Sequence, residues 1–266
     1  MNIKESYLNH IIPEGLEIID AHTHFGKTSS NFLKRYSVDK CVETSIKLGI
    51  RKLCASSMIS LGSDLSKGNR MLFDITEKYP DNVFGYVVYN PRQSAASIVE
   101  IDKYISHKNF IGVKMHPGQH NYSISGENYN PLWDYAAEKG FPILCHTWET
   151  DVVNYPALFT RVLDKCPQLK ILLGHSGGTY EGYASCYRLM KEFPNVYMDL
   201  NGFLYSMRWI EQVVEETDEN RLLFSTDQVW NEPRVTLGKI VLSEITEEQK
   251  HKILCGNFLT MLGRNI

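Results

Sequence analysis

The chain has 266 residues, of which 43% are hydrophobic and 22% are charged, and its formal net charge is -3. This composition permits a large buried core and excludes a disordered or collagen-like chain. Lys and Arg are scattered along the sequence, so no basic patch indicates a nucleic-acid partner. No apolar stretch is long enough to span a bilayer, and the first residues include the charged Lys4 and Glu5. We therefore expect a cytoplasmic protein.

Eight short apolar segments are predicted to be strands, and each is followed by a segment of helical periodicity. In chain order the predicted strands are Leu16–Ile19, Lys52–Ala55, Val83–Tyr89, Phe110–Met115, Phe141–Cys145, Leu169–Leu173, Val196–Leu200 and Leu222–Ser225. The predicted helices are Val38–Leu48, Asp64–Lys78, Ala95–Ser106, Pro131–Lys139, Tyr155–Lys165, Tyr180–Lys191, Met207–Glu216 and Glu247–Leu254. Continuously apolar strands that alternate with helices are typical of a parallel sheet covered on both faces.

Eight such units favour closure of the sheet into a (β/α)8 TIM barrel, an α/β fold that takes roughly 250 residues. We expect residues 1–266 to form this barrel as one domain. The alternative, an open doubly wound sheet, normally carries a glycine-rich turn after its first strand, whereas this chain has Asp20–His24 there. The longest predicted loops, Pro117–Asn130 and Thr226–Glu244, are candidates to cover an active site.

Residues that can bind a metal lie at the carboxyl ends of five of the eight predicted strands. They are His22 and His24, Lys114 and His116, His146, His175 and Asp227. Catalytic groups of such barrels sit at the carboxyl ends of the strands, so these side chains are expected to meet. Side chains two apart on a strand share a face, so His22 and His24 can approach one ion. Imidazole and carboxylate donors suit zinc and related divalent ions.

Each of these residues also has an ordinary structural explanation. A single His at a strand end is more often hydrogen-bonded or exposed than a metal ligand, and Asp227 could instead cap a following helix. Their recurrence at corresponding points of successive units favours a shared site. The six cysteines are far apart and form no C-x-x-C pair, so we interpret them as structural.

The sequence resembles the amidohydrolase superfamily, and within it the amidohydrolase-2 branch that contains amino-carboxymuconate-semialdehyde and resorcylate decarboxylases. The resemblance covers almost the whole chain. It rests on Asp20–His24, Val113–Pro117, Leu144–Thr147, Leu173–Gly178, Ser225–Asp227 and Gly256–Phe258. It implies that His22, His24, His146 and Asp227 bind a divalent metal, expected to be one Zn²⁺, with His175 beside the metal-bound water. The alternative is a site with two metals, in which carboxylated Lys114 would bridge the two ions. If only one metal is bound, Lys114 and His116 are expected to bind substrate.

The main functional hypothesis is hydrolysis of an amide, ester or lactone, because a divalent ion lowers the pKa of bound water from about 15.7 toward about 7. Asp227 and His175 are the expected catalytic residues. Asp227 would relay the proton to the leaving group, and His175 would orient the water or stabilise the developing oxyanion. The alternative is non-oxidative decarboxylation of a small carboxylic acid, and a non-catalytic barrel is the least favoured hypothesis.

Further side chains in the loops are expected to bind a small-molecule substrate, although loop aromatics often pack against helices instead. These are Trp148, Asn201, Tyr205 and Gln228, with Trp230 as another pocket candidate. Neither nucleic acid nor membrane is expected as a partner, and formation of a homodimer is left open.

Overall fold

The computed structural model describes residues 2–27, 37–201 and 208–266. Within these residues, eight parallel strands form one sheet whose spatial order is the order of the chain. The strands are β1 Ile18–Phe25, β2 Ile50–Ser57, β3 Val83–Val88, β4 Phe110–Met115, β5 Ile143–His146, β6 Ile171–Gly174, β7 Val196–Asp199 and β8 Leu222–Leu223. Each strand lies within or overlaps a predicted one, and β1 extends through His22 and His24.

The segment that continues β8 bonds to β1 and closes the sheet. The amide of Ala21 donates to the carbonyl of Phe224 at 3.0 Å, and the amide of Asp227 donates to the carbonyl of His22 at 2.8 Å. Thr23 and Gln228 form a parallel bridge one step further on. The predicted (β/α)8 barrel is therefore confirmed, with the last strand placed directly beside the first.

Helices connect successive strands around the outside of the barrel. They are α1 Ile3–Leu8, α2 Val38–Lys47, α3 Met58–Leu61, α4 Leu65–Lys78, α5 Ser94–Tyr104, α6 Pro117–His120, α7 Asn130–Lys139, α8 Phe159–Leu163, α9 Tyr180–Glu192, α10 Trp209–Glu216, α11 Pro233–Val241, α12 Glu247–His251 and α13 Asn257–Leu262. None of these helices has the length and apolar character needed to cross a bilayer.

The structure corrects several predicted boundaries. The predicted loop Thr226–Glu244 contains helix α11, whose first residue Pro233 is preceded by Glu232 as a side-chain cap. The predicted loop Pro117–Asn130 contains the short helix α6. Two predicted helices are shorter, since only Phe159–Leu163 of Tyr155–Lys165 is α-helical and α12 gives way to a π-helical turn at Lys252. Helix α1 was not predicted.

Apolar side chains form two main layers. The larger cluster lies between strands and helices, while alternate strand residues form a second cluster that includes Leu144, Leu172, Tyr197 and Leu223. Because side chains two apart share a face, this inner stripe continues from Leu144 to His146 and from Tyr197 to Asp199. The barrel interior thus changes from apolar to polar toward the carboxyl ends of the strands.

Candidate metal and active site

A cavity of about 240 Å³ opens at the carboxyl ends of the strands. Its lining combines imidazoles and a carboxylate with two indole rings and aliphatic side chains, and the Trp148 ring is stacked over His146 with centroids 6.3 Å apart. The lining residues are His24, His116, His146, His175, Asp227, Gln119, Met58, Leu61, Trp148 and Trp230. This combination of a mostly apolar wall with a few converging polar groups is typical of a small-molecule site.

Four polar side chains converge beside the cavity, and three of them line it. His22 Nε2 lies 3.2 Å from His24 Nε2, and Asp227 Oδ1 lies 3.8 Å from the former and 3.2 Å from the latter. His175 joins them, since donor atoms of His22, His175 and Asp227 all lie within 4.8 Å of one another. Three of the four predicted ligands are therefore brought together, with the predicted catalytic His175 beside them.

His146, the fourth predicted ligand, lies at the side of this cluster. Its ring centroid is 4.5 Å from that of His175, and its ring is stacked on His116 with centroids 3.9 Å apart and planes at 12°. His146 also lines the cavity. Its role as a ligand remains a proposal.

The cluster fits a cation. Asp227 Oδ1 is buried and has no hydrogen-bond partner of good geometry among the described residues, although two imidazole nitrogens face it. Burial lowers the pKa of His22 and His146 well below the ordinary value, and lowers that of His175 to about 4. Neutral imidazoles next to a buried carboxylate are the donor set of a divalent metal site.

Lys114, near the carboxyl end of β4, is fully buried. Its Nζ is 2.7 Å from His22 Nε2, and burial lowers the pKa of the amine to about 8. The side chain therefore contacts a predicted metal ligand and is not among the residues that line the cavity.

The backbone turns sharply at two of the site residues. His175 has φ of 65° and the following Ser176 has φ of 47°, while Asp227 has φ of 55°. Non-glycine residues rarely occupy this left-handed region because it raises their conformational free energy. Such residues are found mainly at functional sites, where the surrounding structure holds them in place. The turns bring His175 and Asp227 over the barrel mouth directly after their strands.

Polar residues behind the cluster were missed by the sequence analysis. Asp199, the last residue of β7, has Oδ2 at 2.8 Å from His22 Nδ1 and Oδ1 at 2.7 Å from the amide of His175. Ser56 Oγ is 2.9 Å from His24 Nδ1. Burial raises the pKa of Asp199 to about 7. The position of Asp199 at a strand end is the same signal that identified Asp227, so the sequence could have revealed it.

The residues predicted to bind substrate fall into two groups. His116 and Trp148 line the cavity, as does Trp230. By contrast, Asn201 is fully buried and its Oδ1 lies 2.8 Å from His175 Nδ1, while Gln228 accepts a hydrogen bond from Ser45 Oγ at 2.9 Å. Neither of these amides faces the cavity. Tyr205 lies outside the described residues.

The model of the amidohydrolase family matches residues 66–264. The chain belongs to the amidohydrolase family. It is therefore an enzyme of a family in which the barrel supports metal-dependent chemistry. Among curated proteins, none gives a significant match to this amidohydrolase.

Solved structures resemble this amidohydrolase over nearly the whole chain. One is 5-carboxyvanillate decarboxylase from Novosphingobium aromaticivorans with manganese and 4-hydroxy-3-methoxy-5-nitrobenzoic acid, at TM-score 0.74 and 15% identity, covering 94% of this chain and 96% of that one. A second is 2,6-dihydroxybenzoate decarboxylase from Rhizobium, at TM-score 0.75 and 15% identity, covering 94% and 99%. A third is a putative amidohydrolase from Staphylococcus aureus, at TM-score 0.72 and 15% identity, covering 93% and 99%. At these identities the similarity establishes the fold.

Proposed function

We propose that this protein is a metal-dependent, non-oxidative decarboxylase of a small aromatic carboxylic acid, the alternative in the sequence analysis. The supporting observation is the cavity that Asp227 and His175 line together with Trp148 and Trp230. Its volume of about 240 Å³ suits a single substituted ring rather than a peptide or an extended ligand. The ligands named for two similar structures, a nitrobenzoic acid and 2,6-dihydroxybenzoate, belong to this class.

The proposed metal ligands are His22, His24, His146 and Asp227, with one divalent ion per chain. When bound, the ion would hold the substrate carboxylate or an adjacent hydroxyl and withdraw electron density from it. Imidazole and carboxylate ligands favour zinc. Manganese also suits nitrogen and oxygen ligands, and it is the ion named for the 5-carboxyvanillate decarboxylase, so both ions belong in the tests.

The side chains of this site would orient the ring and move a proton. Trp148 and Trp230 would contact the faces and edge of the ring, and His116 lies beside His146 where it can hydrogen-bond a polar substituent. Asp227, as the acid, would add a proton to the ring carbon that bears the carboxylate. The bond from that carbon to the carboxylate then breaks, its electron pair returns to the ring, and carbon dioxide leaves. His175 lies beside Asp227 and can accept a hydrogen bond from its protonated carboxyl group.

Hydrolysis is the second candidate, since the matching family is named for it and the same residues serve both reactions. Asp227 would then take a proton from the attacking water and pass it to the leaving group, with His175 orienting that water. Both candidates require the same convergence of donors.

The deciding experiment compares the two reactions on one preparation. Protein loaded with Mn²⁺ or Zn²⁺ would be incubated with hydroxybenzoic acids and, separately, with esters, lactones and amides of similar size. We expect release of carbon dioxide with formation of the matching phenol. Turnover of the neutral compounds without carbon dioxide would instead establish hydrolysis, and a purified protein that binds neither ion would contradict both candidates.

A further inference from the structure

Strand β7 contributes a carboxylate that faces two histidines from different strands. Asp199 is fully buried, and its two oxygens contact different residues. Oδ2 lies 2.8 Å from His22 Nδ1, and Oδ1 accepts a hydrogen bond from the backbone amide of His175 at 2.7 Å. Asn201, which follows Asp199 by two positions, donates from Nδ2 to Asp199 Oδ2 at 3.3 Å. The Oδ1 atom of Asn201 lies 2.8 Å from His175 Nδ1.

These contacts determine which nitrogen of each ring carries the proton. His22 Nδ1 has two partners: Asp199 Oδ2 at 2.8 Å and the amide Nδ2 of Asn201 at 3.2 Å. The carboxylate is the closer one and can only accept, so His22 Nδ1 is the protonated nitrogen and Nε2 bears the lone pair. Lys114 Nζ supports this assignment from the other side, because an amine at 2.7 Å donates to His22 Nε2. The amide oxygen of Asn201 likewise accepts from His175 Nδ1, which leaves the lone pair of His175 on Nε2.

We infer that Asp199 is a positioning residue that sets the tautomer of His22 and anchors the turn at His175, so that both rings present lone pairs to the metal cluster. The inference rests on the proposed function only in assigning a divalent metal to this cluster. Carboxylates that bond the second nitrogen of a metal-binding His orient the ring and raise its basicity, and losing one typically lowers metal affinity 10 to 100-fold.

The substitution Asp199→Asn tests this because an amide cannot replace both acceptors. The backbone amide of His175 can only donate, so the oxygen of the new amide is required there, and its NH₂ group then faces His22 Nδ1. This arrangement favours a proton on Nε2 of His22, where it opposes metal binding. We therefore expect weaker binding of Zn²⁺ together with a changed tautomer.

Asp20→Asn is the matched control. Asp20 is also fully buried and accepts from the backbone amides of Thr226 at 2.9 Å and His22 at 3.2 Å, and from the Thr226 hydroxyl. Among the described residues, none of its hydrogen bonds is to an imidazole ring. A purely structural loss of a buried carboxylate would affect both variants. Only Asp199→Asn should change the ring nitrogens of His22.

The measurements are Zn²⁺ titration by calorimetry and ¹⁵N spectra of histidine-labelled, metal-free protein. We expect a 10 to 100-fold weaker Kd for Asp199→Asn and a switch of one histidine from the Nδ1–H to the Nε2–H form, with neither change in Asp20→Asn. Unchanged Zn²⁺ affinity and unchanged ¹⁵N shifts in Asp199→Asn, or the same losses in both variants, would overturn the inference.

A second variant keeps the test decisive if Asp199→Asn does not fold. Asn201→Ala removes the acceptor of His175 Nδ1 and also the amide that lies 3.2 Å from His22 Nδ1, so that Asp199 is the remaining partner of that nitrogen among the described residues. We expect mixed tautomers for His175, whereas His22 should keep its proton on Nδ1 because Asp199 still faces that nitrogen. Loss of the Nδ1–H form of His22 in this variant would contradict the inference. Wild-type protein that binds no Zn²⁺ or Mn²⁺ would instead defeat the proposed function, whereas the tautomer assignment is read from metal-free protein.

Discussion

Lys114 Nζ lies 2.7 Å from His22 Nε2, at the nitrogen that a metal ion would need. A bound cation would displace this contact and would be repelled by a protonated amine. In the single-metal arrangement Lys114 is therefore a competitor of the ion, whereas in a two-metal arrangement its carboxylated form would be a ligand. The two arrangements predict opposite effects of removing the amine.

We predict that Lys114→Met retains one ion per chain and binds Zn²⁺ more tightly than the wild type, by about 3 to 10-fold, because a positive charge beside the site is removed. Elemental analysis gives the stoichiometry and calorimetry gives the affinity. Wild-type protein with two ions, one of which is lost in the variant, would show that carboxylated Lys114 is a ligand.

Replacement of Asp227 by Asn should abolish turnover, with a loss in kcat of about 10² to 10⁴-fold, since the amide cannot carry the proton. Its measurement is the rate of carbon dioxide release from the best acid found in the substrate panel. Asp74→Asn is the control, because Asp74 is exposed and pairs only with Arg70 among the contacts described. Full activity in Asp227→Asn would show that the role assigned to Asp227 is wrong.

Gly178 should be needed to position Trp148 in the cavity wall. A Cβ at Gly178 would meet the Trp148 ring at 2.4 Å, and the residue has φ of 71°. We predict that Gly178→Ala loses about 1 to 3 kcal/mol of stability and raises KM several-fold, because the indole is pushed out of place. Denaturant unfolding and steady-state kinetics measure the two effects.

Gly140→Ala separates backbone strain from the clash. Gly140 has a similar φ of 75°, but a Cβ there meets nothing within 4 Å. This variant should lose only the stability that the left-handed backbone costs, about 1 to 2 kcal/mol, and should keep the wild-type KM. Equal KM values in the two glycine variants would contradict the proposed contact of Trp148 with substrate.

His120 should make the fold less stable in mild acid. Burial lowers the pKa of this histidine from 6.5 to about 4, so the folded state keeps it neutral. Below pH 6.5 the unfolded chain binds a proton that the folded chain does not bind until about pH 4. Stability is therefore lost as pH falls across this window, with a slope that approaches about 1.4 kcal/mol per pH unit for this one group.

The measurement compares urea unfolding of wild type and His120→Gln at pH 7.5 and pH 5. Other buried histidines contribute to the absolute pH dependence, so the informative quantity is the difference between the two proteins. We expect the variant to lose less stability on acidification than the wild type. Parallel losses in both proteins would show that His120 titrates normally in the fold.

Local patterns in the sequence were sufficient for the barrel and for most of its strands. Leu144–Cys145 and Leu172–Leu173 read as strands because buried parallel strands are continuously apolar, and the order of eight such segments leaves few topologies. Helix α11 was missed because its first residue, Pro233, and the polar residues before it are typical of a loop. Its apolar face is stabilised only by packing in the folded barrel. Prolines at the first helical position are compatible with both interpretations.

The sequence by itself determined which residues end each strand, and hence that His22, His24, His175 and Asp227 are candidates for one site. Only the tertiary structure decided how they are supported: Asp199 bonds to His22 across 177 positions, and Lys114 does so across 92. The tertiary structure also places Gln228 in a hydrogen bond with Ser45 and Asn201 in a contact with His175. The physical reason is that strand-end chemistry is a local property of the chain, whereas the partner of a buried polar atom depends on which strands closure of the barrel brings together.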